Sequence, residues 1–270
     1  MPPLITPNRE RVEGVYGFLK SLHSYLEQFQ PDVVLCCWDS GRPLFRLSLF
    51  SDYKSNRKKS REEASDKERR EFEKVINQVK VLRDLLPLLG VKQVSINNVE
   101  ADDLLAVATR ALNGRKIIIS GDRDLFQLVG PGVRVYNPNH KFLYDHLNFK
   151  PKTGLTPEEW YTMRVLSGDS SDGIPPIRRG IGEVTAKKII NREKSIELTE
   201  EMRIQFEVNK KLMQLQHVND EEKLKKEVLH RAKEKLPLNP AQVKRFFMQR
   251  AFVSLLAEFP SWISAFQGLR

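Results

Sequence analysis

Three clusters of acidic residues follow one another along the 270-residue chain. Each lies at the predicted edge of a strand or helix, where a folded chain can turn carboxylates inward. Carboxylates gathered in this way form a region of negative potential that is stable only when cations fill it. Because the set contains no His or Cys, it suits Mg²⁺ or Mn²⁺ better than Zn²⁺. The clusters are Glu100–Asp103, Asp122–Asp124 and Asp169–Asp172, with Asp39 as a fourth position.

Two such ions, about 3.5–4 Å apart, can activate a water molecule and stabilise the leaving oxygen of a phosphodiester. The acids therefore predict a divalent-metal nuclease site. Each cluster also has a simpler interpretation. The first can stabilise a helix N-terminus, the second can be a βα turn in which Asp caps a helix, and the third can consist of ordinary loop acids. The occurrence of all the clusters at corresponding element ends favours the metal site. Glu100 and Asp103, three residues apart, share a face if a helix starts there.

The elements that must position these acids alternate between helix and strand. Apolar residues at helical spacing or in short continuous runs mark them, and Asn97 or Asn98 is predicted to cap the helix that carries the first cluster. This alternation predicts an α/β fold with a mainly parallel sheet, whose ligands gather at the carboxyl ends of strands. Asp39, Asp122 and Asp124 lie at such ends. The predicted helices are 12–29, 72–89 (capped by Gly90) and 100–112, and the predicted strands are 33–38, 92–96, 116–120, 133–136 and 141–144.

Two stretches depart from this alternation. Residues 41–70 are polar with few apolar anchors, which predicts an exposed, mobile element. From residue 156 onward the pattern is helical only, which predicts a domain over 1–155 and an all-helical subdomain over 156–270. Within the subdomain, the lysine-rich stretch 209–235 predicts a solvated pair of helices.

Charge and composition point to a polyanionic partner. The chain has 45 Lys and Arg against 35 Asp and Glu, a net charge of +10 and a pI of about 9.5, and its positive potential favours phosphate backbones. Basic residues cluster at 53–61 and again at 178–179 and 187–188. No apolar run approaches the roughly 20 residues of a membrane span, and the N-terminus lacks the features of a secretory signal, which predicts a cytosolic protein. The adjacent Cys36 and Cys37 are poorly placed to bridge each other and predict reduced, buried thiols.

The acidic clusters also carry a specific resemblance. The segments 99–103 (VEADD), 120–129 (SGDRDLFQLV) and 168–175 (GDSSDGIP) resemble the signature motifs of the 5′-nuclease (flap endonuclease) family. The branch that the chain most resembles is the 5′-nuclease domain of bacterial DNA polymerase I and the free-standing bacteriophage 5′-3′ exonucleases. The likeness extends from residues 15–19 to 254–259, which is nearly the whole chain.

The resemblance implies a PIN-like α/β domain followed by a helix-3-turn-helix subdomain with a helix-hairpin-helix turn. It implies a metal-dependent 5′-3′ exonuclease and structure-specific 5′-flap endonuclease, a phosphodiester hydrolase of DNA replication and repair. The expected partner is DNA with a free 5′ end, at a flap, nick or duplex end, with RNA primers as a further class. A monomer in the cytoplasm of a bacterial or phage-infected cell, without membrane association, is also expected.

The resemblance also assigns residues to roles. Two Mg²⁺ or Mn²⁺ ions are expected at the acids, and K⁺ at the helix-hairpin-helix turn. Lys54 and Arg57, at the base of a basic helical arch over about 42–70, are expected to contact the scissile phosphate as catalytic residues and offset its developing charge. The expected metal ligands are Asp39, Glu100, Asp102, Asp103, Asp122, Asp124, Asp169 and Asp172. The expected DNA-binding residues are Arg42, Tyr53, Lys54, Arg57, Lys58, Gly180, Gly182, Thr185 and Lys187.

Two departures from the family pattern add expectations. Pro176 replaces a family glycine and one extra residue precedes the hairpin, which predicts a tilted hairpin. Relatives also have, ahead of the segment that matches Leu4, a central strand ending in a metal-binding Asp. Its absence leaves three alternatives: a coding region that begins upstream of Met1, a separate polypeptide that supplies the strand, or a catalytically impaired, structure-selective DNA-binding protein truncated at the N-terminus.

Overall fold

Helices interspersed with strands form the first half of the chain, and helices follow. The computed structural model describes residues 4–6, 10–215 and 221–270. Its elements confirm the predicted α/β class. The strands are β1 Leu35–Trp38, β2 Lys92–Ser95, β3 Lys116–Ile119, β4 Val133–Asn137 and β5 Phe142–Tyr144. The helices are α1 Glu13–Phe29, α2 Leu44–Leu49, α3 Ser55–Glu62, α4 Asp66–Leu85, α5 Ala101–Ala111, α6 Phe149–Thr153, α7 Pro157–Ser167, α8 Glu183–Ile190, α9 Glu200–Met213, α10 Glu221–Ala232, α11 Pro240–Gln249, α12 Val253–Ala257 and α13 Phe259–Ser264, with 3₁₀ turns at Leu86–Leu89 and Asp124–Leu128.

The described residues group into two units, each assembled from segments distant in sequence. The first comprises Met1–Cys36, Glu63–Val94 and His230–Arg270, and the second comprises Cys37–Glu62 and Ser95–Leu229. The predicted division into residues 1–155 and 156–270 stays a prediction.

The five strands form two small sheets, where the sequence predicted one. β1 pairs with β2, and β3, β4 and β5 form a second sheet in that order. β3 runs parallel to β4, whereas β5 is antiparallel to β4. The antiparallel pairing follows from the short connection between β4 and β5, because a parallel neighbour needs a crossover of about a dozen residues or more.

Helix α4 of the first unit begins before its predicted start because of its cap. Ser65 accepts a hydrogen bond from the Glu68 backbone, and the Glu68 side chain accepts one in return from the Ser65 backbone, which is a capping box. At its other end α4 gives way to the 3₁₀ turn that contains Pro87, whose missing N–H interrupts the helical pattern. Gly90 then closes the turn at φ 74°, as predicted.

An aromatic cluster anchors the second unit. The Phe126 ring lies 4.5 Å from the Tyr144 ring, 5.4 Å from Phe149 and 5.3 Å from Trp160, centroid to centroid. Such tilted and edge-on pairs stabilise a core beyond the area that they bury. Because Phe126 belongs to the 3₁₀ turn that begins at Asp124, the cluster fixes the backbone that carries the second acidic cluster.

Two sequence predictions about burial are wrong in part. Among the described side chains of the stretch 41–70, Arg46 and Tyr53 are buried, at 5% and 7% exposure. In the stretch predicted to be a solvated helix pair, Asn209 is fully buried and donates from Nδ2 to the carbonyls of Val165 (3.0 Å) and Pro175 (2.8 Å). In both stretches the buried polar groups have partners, and pairing is what allows such groups to leave water. Residues 216–220 of the second stretch lie outside the described residues.

Cys36 and Cys37 form no disulfide, and each residue as a whole is partly exposed. Burial raises the pKa of the Cys36 thiol to about 12, so the predicted buried thiol is confirmed at Cys36. Within the described ranges, no helix combines the length and apolar character that crossing a membrane requires.

Candidate active site

An acidic cavity of about 320 Å³ lies in the second unit. Seven of the eight predicted metal ligands line it, together with Tyr53, Lys54 and Arg57. Asp103 is the exception, being 3% exposed and outside the lining. The cavity thus collects carboxylates from four separate segments of the chain. The seven are Asp39, Glu100, Asp102, Asp122, Asp124, Asp169 and Asp172.

Asp39 reaches this cavity by capping α5. Its Oδ1 accepts a hydrogen bond of 2.7 Å from the backbone N–H of Ala101, the first residue of the helix. This satisfies one of the N–H groups that a helix leaves open at its start. The predicted capping by Asn97 or Asn98 is therefore wrong, because the cap comes from a distant strand end.

The second cluster is held by its own backbone and by α7. Ser120 Oγ accepts from the Asp122 N–H (3.0 Å), and Asp122 Oδ1 accepts from the Asp124 N–H (2.8 Å). Arg164 of α7 donates from Nε to Asp124 Oδ1 (2.7 Å) and from Nη2 to Asp169. Arg164 therefore joins the second cluster to the third.

The third cluster lies on a loop that requires glycine at its start. Gly168 has φ 69°, and a Cβ there would lie 2.5 Å from the carbonyl oxygen of Ile174. This close approach lets Asp169 and Ile174 exchange two backbone hydrogen bonds of 2.8 Å. Burial raises the pKa of Asp169, but hydrogen bonds from Ser171 and the charge of Arg164 outweigh it, and the pKa is lowered.

Basic and hydroxyl groups from the base of the predicted arch contact these acids directly. Lys54 Nζ contacts Glu100 and lies 3.7 Å from Asp172 Oδ2, and Arg57 Nη2 donates to Asp172 Oδ1 at 2.7 Å. Tyr53 OH donates to Asp172 Oδ2 at 3.1 Å. The Lys54 N–H also donates to the Asp172 carbonyl at 2.8 Å. The segment 53–57 is therefore tied to the third acidic cluster.

Two arginines, the buried Arg46 and the partly buried Arg164, were missed by the sequence analysis. Arg46 pairs with Glu100 and Asp103, and Arg164 pairs with Asp124 and Asp169. Burial lowers an arginine pKa, but the adjacent carboxylates outweigh burial and raise the pKa of both. Their sequence signals were weak: Arg46 lies between apolar residues in a polar stretch, and Arg164 lies five residues before Asp169.

In the part of the chain that the structure describes, no three acidic, His or Cys side chains already converge as ligands of one ion. Most of the carboxylates instead face internal cations. The donors are nonetheless hard oxygen atoms in the number that Mg²⁺ or Mn²⁺ requires. Asp102 lies close to other negative charges. Burial and the charges of Asp122, Asp39 and Glu100 raise the pKa of Asp102 to about 7.

The raised pKa of Asp102 gives a testable pH dependence in metal-free protein. Between about pH 4 and pH 7 folded Asp102 keeps a proton that the unfolded chain has lost, so the free energy of unfolding falls as the pH rises through this window. We expect Asp102→Asn to be more stable than the wild type at pH 8 by about 2 kcal/mol. This corresponds to roughly 5 °C in Tm.

Thermal unfolding in EDTA at pH 4 and pH 8 measures this effect. The two proteins should have similar Tm values at pH 4. A wild-type Tm that equals or exceeds that of Asp102→Asn at pH 8 would show that the charge of Asp102 does not destabilise the fold.

The predicted DNA-binding residues occupy varied environments. Gly180 has φ 89° and Gly182 is the N-cap of α8. Arg42 is exposed and Thr185 partly exposed. Lys187 donates from Nζ to the Thr153 carbonyl at 2.6 Å, so its ammonium has a partner within the fold. The side chain of Lys58 lies outside the described residues.

Comparison with known proteins decides the family. The model of the 5′-3′ exonuclease N-terminal, resolvase-like domain matches residues 1–154. The chain belongs to this family. The 5′-3′ exonuclease of Bacillus subtilis (strain 168) is 36% identical over 191 residues, which cover 68% of this chain and 60% of that protein. The thermostable DNA polymerase I of Thermus thermophilus is 36% identical over 197 residues, which cover 72% of this chain and 22% of the polymerase. The chain thus spans less than two thirds of the length of either relative.

A solved structure confirms the fold of this family member. The T5 5′-exonuclease, determined with bound divalent metal ions (zinc), superposes with a TM-score of 0.69. The match covers 81% of this chain and 91% of that chain at 18% identity. At this identity the likeness shows the fold alone, and it confirms the predicted PIN-like α/β architecture.

Proposed function

We propose that this chain is a metal-dependent 5′-3′ exonuclease and 5′-flap endonuclease that hydrolyses DNA phosphodiesters near free 5′ ends. The observation that carries the proposal is a cavity whose lining brings together seven carboxylates with Lys54 and Arg57. Family membership supports the same activity, since a relative of 36% identity is a 5′-3′ exonuclease. DNA flaps, nicks and duplex ends are the proposed substrates.

The seven carboxylates that line the cavity would hold two Mg²⁺ or Mn²⁺ ions. The T5 relative binds divalent metal ions, and the donor set here consists of oxygen atoms of the kind that such ions prefer. Bound ions would supply an activated water and neutralise charge on the leaving oxygen. Asp39 and Asp102 already line the cavity without a salt bridge among the described residues.

Lys54 and Arg57 would bind the scissile phosphate. In the structure both contact Asp172, so an entering phosphate competes with this carboxylate for the two cations. Because the Lys54 backbone is itself bonded to Asp172, the ammonium stays close to the cavity when it changes partner. Its fixed charge then offsets the charge that develops on the phosphate.

The helix-hairpin-helix turn would bind the duplex away from the cleavage point. Gly180 and Gly182 allow the backbone to approach closely, and the N-terminus of α8 presents N–H groups to a phosphate. A K⁺ ion at this turn belongs to the same proposal.

The proposal is tested by incubating the purified chain with a 5′-flap substrate and Mg²⁺, with EDTA as the control. We expect cleavage near the junction in Mg²⁺ and none in EDTA. Binding of the flap without any cleavage in Mg²⁺ or Mn²⁺ would overturn the proposed nuclease activity. It would support the alternative, a structure-selective DNA-binding protein.

Salt dependence provides a separate prediction for the two basic residues. If Lys54 and Arg57 together neutralise the scissile phosphate, the plot of log affinity against log salt should be shallower by about 0.7–0.9 in Lys54→Met/Arg57→Met. Fluorescence anisotropy of a labelled flap in EDTA measures the slope. Lys150→Met is the matched control, because Lys150 is exposed, pairs with Glu159 and does not line the cavity. An equal slope for the double variant and the wild type would exclude these phosphate contacts.

A further inference from the structure

Arg46 is the most completely bonded charged side chain beside the cavity. It is 5% exposed. Its Nη1 and Nη2 donate to Asp103 Oδ2 and Oδ1 at 2.5 and 2.8 Å, and Nη1 also donates to Glu100 Oε2 at 2.7 Å. Its Nε donates to the carbonyl of Leu212 at 2.8 Å. One guanidinium thus joins the start of α5 to the end of α9.

The two carboxylates that Arg46 holds differ in what they face. Glu100 lines the cavity, and its Oε1 contacts Lys54, whereas Asp103 is outside the lining and almost fully buried. Both oxygens of Asp103 are engaged by Arg46 in a bidentate pair, the geometry in which guanidinium and carboxylate bind most strongly. Release of Asp103 toward a metal ion would leave a buried arginine without its main counter-ion, which is strongly destabilising.

We infer that Arg46 and Asp103 form an internal positioning pair. Asp103 neutralises and orients Arg46, and Arg46 fixes Glu100 and the end of α9 against the cavity. Asp103 therefore acts through Arg46 and is not itself a metal ligand. The inference rests on the proposed function, because Glu100 is taken to face the metal ions.

The wall that Arg46 supports is part of the same cavity. Leu212 and Met213, at the end of α9, line the cavity beside Glu100. Gln127 holds this segment from another direction, donating to the Met213 carbonyl at 3.1 Å and accepting from the Leu215 N–H at 3.2 Å. Loss of the Arg46 contact is therefore expected to displace Glu100 more than the wall.

A double-mutant cycle of Asp103→Asn and Arg46→Met tests the inference. Asp103→Asn should lower kcat for flap cleavage about 30-fold, with KM unchanged and the wild-type number of Mn²⁺ ions bound, counted by calorimetry. In the Arg46→Met background, Asp103→Asn should lower kcat less than 3-fold further. Arg110→Met is the matched control, since Arg110 lies on the same helix, pairs with Glu221 and is outside the cavity lining. It should match the wild type.

The opposite pattern would overturn the inference. If Asp103 is a metal ligand, Asp103→Asn should bind one Mn²⁺ ion fewer than the wild type or bind Mn²⁺ at least 10-fold more weakly. This loss should be the same whether or not Arg46 is present. If Arg46→Met does not fold, the number of Mn²⁺ ions that Asp103→Asn binds decides whether Asp103 is a metal ligand or a positioning residue. Failure of the proposed function is distinguishable, because then the wild type itself neither binds Mn²⁺ in the cavity nor cleaves the flap.

Discussion

Replacing Asp122 by Asn is expected to lower 5′-flap cleavage about a thousandfold while leaving the fold intact. Asp122 lines the cavity near the end of β3, and its charge is one of those that raise the pKa of Asp102. Loss of this charge weakens the electrostatic stabilisation on which hydrolysis depends. In enzymes, removing one preorganised group alone lowers the rate roughly 10²–10³-fold. Because an amide oxygen can still accept from the Asp124 N–H, the turn is retained.

Single-turnover cleavage in Mg²⁺ measures the effect. Asp84→Asn is the matched control, since Asp84 is exposed on α4. It should cleave at the wild-type rate. A rate for Asp122→Asn within 10-fold of the wild type would remove Asp122 from the site. Unchanged flap binding in EDTA distinguishes a lost reaction from a lost fold.

Lys54→Met is expected to lower kcat about 10²–10³-fold, with a much smaller rise in KM. The ammonium of Lys54 lies between Glu100 and Asp172, where it can offset charge on a phosphate held beside those acids. Its backbone is fixed at φ 56°, an uncommon conformation for a residue other than glycine, and by the bond to the Asp172 carbonyl. Conformations of this kind concentrate at functional sites.

Steady-state kinetics on a 5′-flap measures kcat and KM separately. Lys54→Arg should recover part of kcat because it restores the charge, although not the shape of the ammonium. An increase in KM with kcat unchanged would show that Lys54 only binds DNA and does not act in the reaction.

The acidic half of this site could be predicted from the sequence because each carboxylate follows a readable local signal. Asp39 and Asp122 each lie just beyond an apolar strand, where ligand-binding residues of α/β proteins are expected, although the two strands belong to different sheets. Glu100 precedes a helix, and Asp172 belongs to a glycine-rich turn. The cavity contains all four.

The residues that hold the acids could not be predicted because their roles depend on distant partners. Arg46 is separated from Asp103 by 57 positions, and Asn209 from Val165 by 44. A charged or amide side chain in a polar stretch gives no sign of which segment will neutralise it. The cap of α5 was mistaken for the same reason: neighbouring asparagines are the usual local choice, whereas Asp39 comes from 62 positions away. Local periodicity also gave no reason to divide the strands into two sheets.

The most direct measurement is anomalous scattering from crystals of the wild-type protein soaked in Mn²⁺. We expect manganese peaks inside the acidic cavity, about 3.5–4 Å apart, contacting carboxylates that include Asp102 and Asp122. Asp103 should remain bonded to Arg46. A cavity without manganese in a protein that cleaves 5′ flaps, or manganese bound only elsewhere, would exclude the proposed two-metal site.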